Sequence, residues 1–335
     1  MKNVETLLRE NRAWAEETFR KIDRKFSAVT LRSRDKLPYG VDENGIHIDL
    51  TERRRPWWTN GFWGGLNWLL YAYTKNEEYK KTAKRSEELL RPVADEFGRL
   101  DHDVGFVWHL TFGADYLLTG DEAAKNLDLY MAASLASRFV LATKVPGGFI
   151  RAWNGKRGTA WDNYNRSIID CMMNLPLLYW ASDVTDDDRF ARFAKAHADV
   201  SLRDHLREDG SVNHIVDHDR ETGALTDTLA GQGYAVGSSW SRGCSWAVYG
   251  FVLSYQHTKE ERYLESAYER GTLPRRSQTR RGLLYRERQV RLASPRGFPR
   301  ARRARALRLD GGRLRRVRAD RAGEDPVRGR GRQVS

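Results

Sequence analysis

An alternation of apolar and amphipathic helical segments is the feature that most constrains this chain. Residues 60–73 predict a helix that is apolar on nearly every side, and such a helix has to be buried on most sides. Residues 77–97 predict an amphipathic partner that can shield it. The alternation continues in helices predicted over residues 104–118, 121–143, 165–181, 186–207 and 241–257, after a first helix over 3–26. Such pairs predict an all-α fold, an (α/α) barrel with inner and outer helices, with a plain bundle or solenoid as the alternative.

Turn and cap signals separate these helices. Asp121 and Asp186 stand where the N-caps of two helices are expected. Gly-bearing loops at 146–148 and 208–210 divide the pairs, and residues 212–225 predict a short hairpin. The hairpin is the one β element that the sequence predicts.

The net charge of +13 is unevenly distributed along the 335 residues. Residues 271–335 contain 21 Arg and 5 acidic residues, a balance of +16, whereas residues 1–270 contain 37 basic and 40 acidic residues, a balance of −3. We therefore expect one domain over 1–270 and an aberrant, disordered Arg-rich tail over 271–335, typical of a GC-rich gene read out of frame. A basic arm for nucleic acid is the alternative, but the mildly acidic body opposes it, and we expect no nucleic-acid partner.

The sequence also predicts the compartment. No run of 18 apolar residues occurs, and the N-terminal residues mix acids with bases, so we expect neither a membrane span nor a signal peptide. The two cysteines, Cys171 and Cys244, are too few for a disulfide framework. We expect a cytoplasmic protein in which both are buried thiols. The oligomeric state stays open.

Aromatic residues are abundant, with 11 Trp, 14 Tyr and 12 Phe, and several cluster with polar groups at predicted helix ends. The segment WWTNGFWGG at 57–65 places Trp58 at the entry to an apolar helix, where rings can line a cavity mouth. The segment LDHDVGF at 100–106 places His102 and Asp103 ahead of another inner helix, where an N-cap role explains Asp103 equally well. Aromatic faces suit sugar rings, although each Trp taken alone can be ordinary core.

Asp170 stands inside an apolar part of the segment 162–176, on a predicted helix. A carboxylate in such surroundings must be paired or have its pKa raised by desolvation, and a raised pKa suits a general acid near neutral pH. An ion pair with Arg166, four residues earlier, is the alternative. Asp170 is therefore a candidate catalytic acid.

A further cluster consists of GQGY at 231–234 and WSRGCSW at 240–246. Arg242 has the forked shape that matches a carboxylate, and the neighbouring tryptophans offer stacking faces. In the predicted hairpin His214 and His218 share a face, but no third close ligand stands out. We therefore expect no metal and no cofactor.

Taken together, four segments resemble the unsaturated glucuronyl hydrolases, glycoside hydrolase family 88, over about residues 1–268. They are WWTNGFWGG at 57–65, HDVGF at 102–106, DNYNRSIIDCMMNLPLLYWAS at 162–182 and GQGYAVGSSWSRGCSWAVYG at 231–250. The resemblance implies an (α/α)6 barrel in which Asp170 is the general acid and base and Asp103 assists it. It also implies a group of residues around the sugar, namely Trp58, His102, His214, Gln232, Arg242 and Trp246. The loop ahead of Asp170 is expected to shape the pocket.

The same resemblance implies release of an unsaturated glucuronic acid from the non-reducing end of lyase-generated, glycosaminoglycan-type oligosaccharides. Asp170 protonates C4 of the C4=C5 bond, water adds to C5, and the hemiketal opens to a keto-acid. The family's last barrel helices, and a Ser- and Lys-bearing segment that contacts substrate, have no counterpart in residues 271–335. We therefore expect a barrel that is incomplete at its C-terminal end.

Other functions stay open at this stage. An unsaturated rhamnogalacturonyl hydrolase has the same fold and similar aspartates but acts on pectin fragments. A sugar epimerase on the same type of barrel relies on histidines, which the acid-centred clusters oppose. An inactive sugar-binding remnant is a further alternative.

Overall fold

A computed structural model describes residues 4–52, 56–142, 144, 147–155 and 163–268. The α-helices in these ranges are α1 (Val4–Arg32), α2 (Asn60–Thr74), α3 (Glu77–Leu90), α4 (Ala114–Thr119), α5 (Glu122–Ala136), α6 (Leu175–Thr185), α7 (Arg189–Val200), α8 (Ser241–Thr258) and α9 (Glu261–Tyr268). Wide π-helical segments span Gly105–Gly113 and Ser201–His205, and 3₁₀ turns span Arg91–Asp95, Phe97–Arg99 and Ile169–Met173. The strands are β1 (Pro38–Val41), β2 (His47–Asp49), β3 (Phe139–Leu141), β4 (Gly148–Ile150), β5 (Arg166–Ile168), β6 (Ile215–His218) and β7 (Leu225–Leu229).

Consecutive helices pack as pairs: α2 with α3, α6 with α7, and α8 with α9. Local signals explain where the first pair divides. Lys75 takes a left-handed conformation with φ +57° and ends α2, and the Asn76 side chain accepts the Glu78 N–H at 3.0 Å and so caps α3. The predicted cap at Asp121 is confirmed, because its carboxylate accepts the first free N–H groups of α5.

The core lies where the more apolar members of the pairs meet. Trp68 on α2, Trp108 on the Gly105–Gly113 helix, Tyr179 on α6 and Phe251 on α8 are almost fully buried. Helix α6 packs against both the Gly105–Gly113 helix and α8. Because each large ring buries about 150–250 Å², burial of these faces holds the inner helices together.

Two helices predicted from the sequence are wrong over part of their length. The helix predicted over 165–181 is replaced at its start by strand β5 and the Ile169–Met173 turn, and α6 begins only at Leu175. The helix predicted over 121–143 ends at Ala136, and β3 follows it. Apolar runs rich in Ile and Val fit a short strand as well as a helix, and strand pairing decides in favour of the strand.

The predicted hairpin is confirmed, with a second strand that runs later than expected. Strand β6 lies between β5 and β7 in an antiparallel sheet, in which Ile168 is opposite Ile215. The same sheet therefore joins the segment that precedes Asp170 to the segment that follows His214.

The cap predicted at Asp186 is wrong. Asp186 takes a left-handed conformation with φ +53° at the end of α6, and the carboxylate of Asp187 accepts the Arg189 N–H at 3.0 Å instead. Asp186 does not cap α7 because it is the residue that ends α6. Two further residues separate it from the start of α7.

Some sequence predictions concern other parts of the chain. The Arg-rich tail 271–335, and with it the completeness of the barrel, lies outside the described residues, as does most of the loop ahead of Asp170. Cys171 is buried and free, as predicted, whereas Cys244 is free but only half-buried. Among the helices of the described ranges, none combines the length and apolar composition needed to cross a membrane.

Candidate active site

Asp170 lies on the short turn that leaves β5, and the sheet places it beside His214. The Ile169 N–H donates to the His214 carbonyl at 3.0 Å, which continues the β5–β6 ladder by one residue. The Oδ2 atom of Asp170 lies 3.4 Å from Nε2 of His214, and both side chains are largely buried. Asp170 is thus on a short 3₁₀ helix that follows a strand, and not inside the longer helix that the sequence predicted over 165–181.

The backbone of Gln232 fixes the His214 ring. The Gln232 N–H donates to Nδ1 of His214 at 2.9 Å, so Nε2 is the atom that bears hydrogen in the neutral ring and faces Asp170. This approach requires a glycine at 231, where φ is +54° and a Cβ atom would lie 1.9 Å from Nδ1. The glycine of the GQGY segment therefore helps to orient Asp170.

The alternative of an ion pair between Arg166 and Asp170 is excluded. Arg166 instead forms a forked pair with Asp217, in which both hydrogen bonds measure 2.7 Å. The two residues are directly opposite each other on β5 and β6. Opposite residues of an antiparallel pair project to the same face, so the strand turns Arg166 to Asp217 and leaves Asp170 to His214.

His102 and Asp103 lie just before the Gly105–Gly113 helix. Nε2 of His102 is 3.3 Å from Oδ1 of Asp103. Burial raises the pKa of Asp103 well above its usual range, and the charges of Asp101 and Asp170 raise it further. Burial also lowers the pKa of His102 well below its usual range. The charge of Asp170 therefore acts on Asp103 in the same direction as burial and Asp101 do.

An aromatic wall stands next to these acids. The Phe106 ring makes edge contacts with Trp58 and Trp246, each with ring centroids 5.3 Å apart. The Arg242 guanidinium lies over the rings of Trp58, at 5.1 Å, and Trp240, at 4.4 Å. Segments that are distant in sequence therefore form one continuous cluster of rings and a cation.

Contacts connect the predicted site residues into two groups. Asp170, His214, Gln232 and Arg242 form a chain, because Arg242 also donates to the side-chain oxygen of Gln232. His102 and Asp103 form the second group, coupled to the first through Asp170. Trp58 and Trp246 join the groups through Arg242 and the Phe106 ring, and the structure thus brings all eight predicted residues together.

Sequence reasoning missed three polar residues that support Asp103. Asp101 accepts the Asp103 N–H at 2.9 Å. The half-buried Arg138 donates to the carbonyls of Leu100 and Ala152 around the same segment. Asn174 accepts the Phe106 N–H at 2.8 Å. Asp101 was visible in the LDHD segment, but no sequence signal relates Arg138 or Asn174 to a segment so far away in the chain.

His218, which the sequence analysis paired with His214, serves a different part of the structure. Nε2 of His218 lies 3.0 Å from Asp204, and its ring stacks on Phe149. In the described ranges, no three His, Cys, Asp or Glu side chains are grouped in a way that would hold a metal ion. His218 therefore contacts Asp204 and Phe149 and makes no contact with Asp170 among those that the structure gives.

Comparisons with known proteins identify the family. The chain is 40% identical over 236 residues to the unsaturated glucuronyl hydrolase of Bacillus sp. (strain GL1), which covers 70% of this chain and 60% of that protein. It is 36% identical over 207 residues to the unsaturated chondroitin disaccharide hydrolase of Streptococcus pneumoniae, which covers 61% of this chain and 50% of that protein. The family model of Glycosyl Hydrolase Family 88 matches residues 38–284, and the chain belongs to this family.

Solved structures agree with this assignment. The unsaturated glucuronyl hydrolase from Bacillus sp. GL1 is similar with a TM-score of 0.66 and 34% identity, over 77% of this chain and 66% of that one. A heparin-specific unsaturated glucuronyl hydrolase is similar with a TM-score of 0.62 and 28% identity, over 72% and 63% of the two chains. The predicted all-α fold of (α/α)6 type is thereby confirmed. The chain spans only about half to two thirds of the length of these relatives.

Proposed function

We propose that this protein releases an unsaturated uronic acid from the non-reducing end of an oligosaccharide by hydrating the C4=C5 double bond of that sugar. The observation that carries the proposal is the pair formed by Asp103 and Asp170, two coupled carboxyl groups in unlike surroundings beside an aromatic wall. Burial raises the pKa of Asp103 well above its usual range, so this site holds a carboxyl group that can keep a proton near neutral pH, as a proton-transfer cycle needs.

The reaction needs one proton to be delivered and one to be recovered. Protonated Asp170 gives its proton to C4, and the carboxylate that results removes a proton from the water that bonds to C5. The product is a hemiketal at C5, which opens to a ketone and leaves a hemiacetal at C1. That hemiacetal expels the rest of the oligosaccharide as an alcohol, so the balance is one water consumed and Asp170 restored.

The remaining predicted residues have binding roles in this scheme. Arg242 lies over the Trp58 ring of the aromatic wall and is suited to the uronate carboxylate, with Gln232 as its present partner. Trp58 and Trp246 flank the Phe106 ring and offer faces to the sugar. His214 keeps its N–H directed at Asp170, and Nε2 of His102 lies 3.3 Å from Oδ1 of Asp103.

Glycosaminoglycan-type fragments are the substrate class that the relatives favour. One relative acts on chondroitin disaccharides by its name, and one structural relative is described as specific for heparin. A third is a UGL variant described with dGlcA-Glc-Rha-Glc, a chain that carries no amino sugar. We therefore propose an unsaturated glucuronic acid as the common element and leave the next sugar open.

The fall in ultraviolet absorbance of the conjugated C4=C5 bond tests this proposal. We expect purified full-length protein to remove the absorbance of lyase-generated chondroitin or heparin disaccharides, and Asp170→Asn to be about 10²–10⁴-fold slower. Pectin-derived unsaturated disaccharides serve as the comparison substrate. Equal turnover by wild type and Asp170→Asn would contradict the assignment of Asp170, and no turnover of any of these substrates would contradict the function.

A further inference from the structure

His205 bonds to two chain segments that meet at the candidate active site. It ends the wide helical segment Ser201–His205 and is fully buried. Its Nε2 atom lies 2.9 Å from the hydroxyl oxygen of Ser167, which is on β5. Its Nδ1 atom lies 2.9 Å from the carbonyl oxygen of Asn213, and the Asn213 N–H donates to the His205 carbonyl at 2.7 Å. One histidine therefore contacts β5 on one side and the segment that leads into β6 on the other.

These contacts fix which ring nitrogen of His205 bears hydrogen. A backbone carbonyl oxygen only accepts, so Nδ1 must donate to the Asn213 carbonyl. In the neutral ring Nε2 then accepts, and the Ser167 hydroxyl is its donor. Burial lowers the pKa of His205 to about 4, so the ring is neutral near pH 7 and keeps both hydrogen bonds.

Both hydrogen-bond partners of this histidine are close in sequence to the pair of acid and imidazole. Ser167 precedes Asp170 by three residues, and Asn213 directly precedes His214. Between these positions, the Ile169 N–H donates to the His214 carbonyl at 3.0 Å. The approach of His214 to Asp170, at 3.4 Å, therefore depends on two short segments that the buried histidine bridges.

The two polar side chains of β5 secure opposite faces of this strand. Successive residues of a strand project to opposite faces, and Arg166 pairs with Asp217 on one face while Ser167 bonds to His205 on the other. Only residues 168 and 169 stand between Ser167 and Asp170, and both are isoleucine. The bond to His205 is therefore the last side-chain hydrogen bond of this segment before the acid itself.

We propose that His205 is a positioning residue of this site, which holds the end of β5 and the segment before β6 together and so sets the approach of His214 to Asp170. This inference rests on the function proposed above, since the pair belongs to the same site. It adds to that function a residue that does not touch the reacting atoms. The cation and the aromatic wall lie on other segments, so loss of this histidine slows proton transfer more than it weakens binding of the sugar.

Three substitutions separate the two side-chain hydrogen bonds. His205→Asn keeps an amide N–H for the Asn213 carbonyl, His205→Gln keeps an oxygen for the Ser167 hydroxyl, and His205→Leu keeps neither. Hydrogen–deuterium exchange of peptides that contain Ile169, measured by mass spectrometry without substrate, reports how firmly the two segments are joined. We expect this exchange to be about tenfold faster in His205→Leu, with smaller increases in the two amide variants.

His197→Leu is the matched control. His197 is also fully buried, but its Nδ1 atom accepts the Ile150 N–H, on β4, at 3.0 Å. The control should lose stability without faster exchange around Ile169. Unchanged exchange in folded His205→Leu, or equal increases in the two leucine variants, would overturn the proposal. If His205→Leu does not fold, the two amide variants provide the same comparison with the control.

Turnover gives a second readout if the proposed function holds. We expect His205→Leu to lower kcat by about tenfold and to leave KM nearly unchanged, with partial recovery in His205→Asn and His205→Gln. A purely structural role for His205 would reduce the amount of folded enzyme but leave kcat per folded molecule unchanged, and that result would contradict the proposal. If wild type has no turnover while the difference in exchange is seen, the proposed function fails and the role of His205 in joining the two segments stands.

Discussion

The surroundings of Asp103 and Asp170 differ in how each carboxyl is controlled. Asp103 lies just before a wide helix and has two other acids nearby, and burial is the largest cause of its raised pKa. Asp170 leaves a sheet, and a histidine whose own orientation is fixed by a backbone N–H faces it. The comparison shows that two aspartates of one site can be controlled differently. Desolvation acts on Asp103, whereas an oriented histidine N–H faces Asp170.

The largest expected effect comes from Asp103→Asn, which removes the coupled acid. Activity should fall about 10²–10⁴-fold. Because the pKa of Asp103 is raised on folding, the folded state binds more protons than the unfolded state above pH 4, and stability falls as pH rises through that range. The free energy of unfolding of the variant lacks this fall. Its excess over the wild-type value should therefore be larger at pH 8 than at pH 5, and urea unfolding at the two pH values measures it.

Glu87→Gln is the control for that prediction. Burial and the charge of Asp115 raise the pKa of Glu87 to about 9, and Glu87 lies in the scaffold, where it accepts from Trp68 at 2.8 Å. Its replacement should also stabilise the protein, by at most ~1.4 kcal/mol per pH unit between pH 4.5 and 9, while activity stays unchanged. Loss of activity in both variants would show that Asp103 acts only through stability.

A smaller effect is expected from Gly231→Ala, which changes the surroundings of Asp170. The new methyl group would displace the His214 ring from the Gln232 N–H, and kcat/KM should fall roughly tenfold to a hundredfold. Gly237→Ala is the matched control, because Gly237 also has a positive φ, of +78°, but nothing lies within 4 Å of its Cβ position. The control should lower the free energy of unfolding by about 1 kcal/mol and leave kcat/KM unchanged. Similar values of kcat/KM in the two variants would contradict the role of Gly231 beside His214.

The smallest effect should come from Arg242→Lys, which keeps the charge at the aromatic wall but removes the fork. KM should rise about tenfold with little change in kcat, because binding is weakened and neither aspartate is touched. Arg166→Lys loses a fork of the same kind to Asp217 and should lower the thermal midpoint only. A change in kcat larger than the change in KM for Arg242→Lys would place Arg242 in the proton cycle.

The sequence predicted the helices that have a plain apolar pattern and clear ends. The predicted segments 60–73 and 241–257 agree with α2 and α8 to within one residue. Left-handed residues end both helices, Lys75 and Lys259, at the points where the apolar pattern ceases. The eight predicted site residues also meet, because the resemblance supplied long-range relations that periodicity does not contain.

The remaining errors have a common physical origin. The run Ile168–Ile169 before Asp170 is compatible with helix and strand alike, and only its pairing with β6 selects the strand. The same pairing turns Arg166 towards Asp217, which excludes the alternative ion pair between Arg166 and Asp170. Asn174 has an ordinary neighbourhood in sequence, and its contact with Phe106 exists only after distant segments have packed.

The register of β5 on β6 has a practical consequence for any preparation of this protein. Ile168 is opposite Ile215, and a slip of one residue would turn the side chains of β6 to opposite faces and move His214 away from Asp170. Helix content by circular dichroism would hardly change, since the sheet is small. Turnover per mole of protein in the proposed reaction therefore depends on the fraction of molecules in which β5 and β6 are correctly aligned. A preparation with normal helix content but low turnover would contain molecules in which these strands are misaligned.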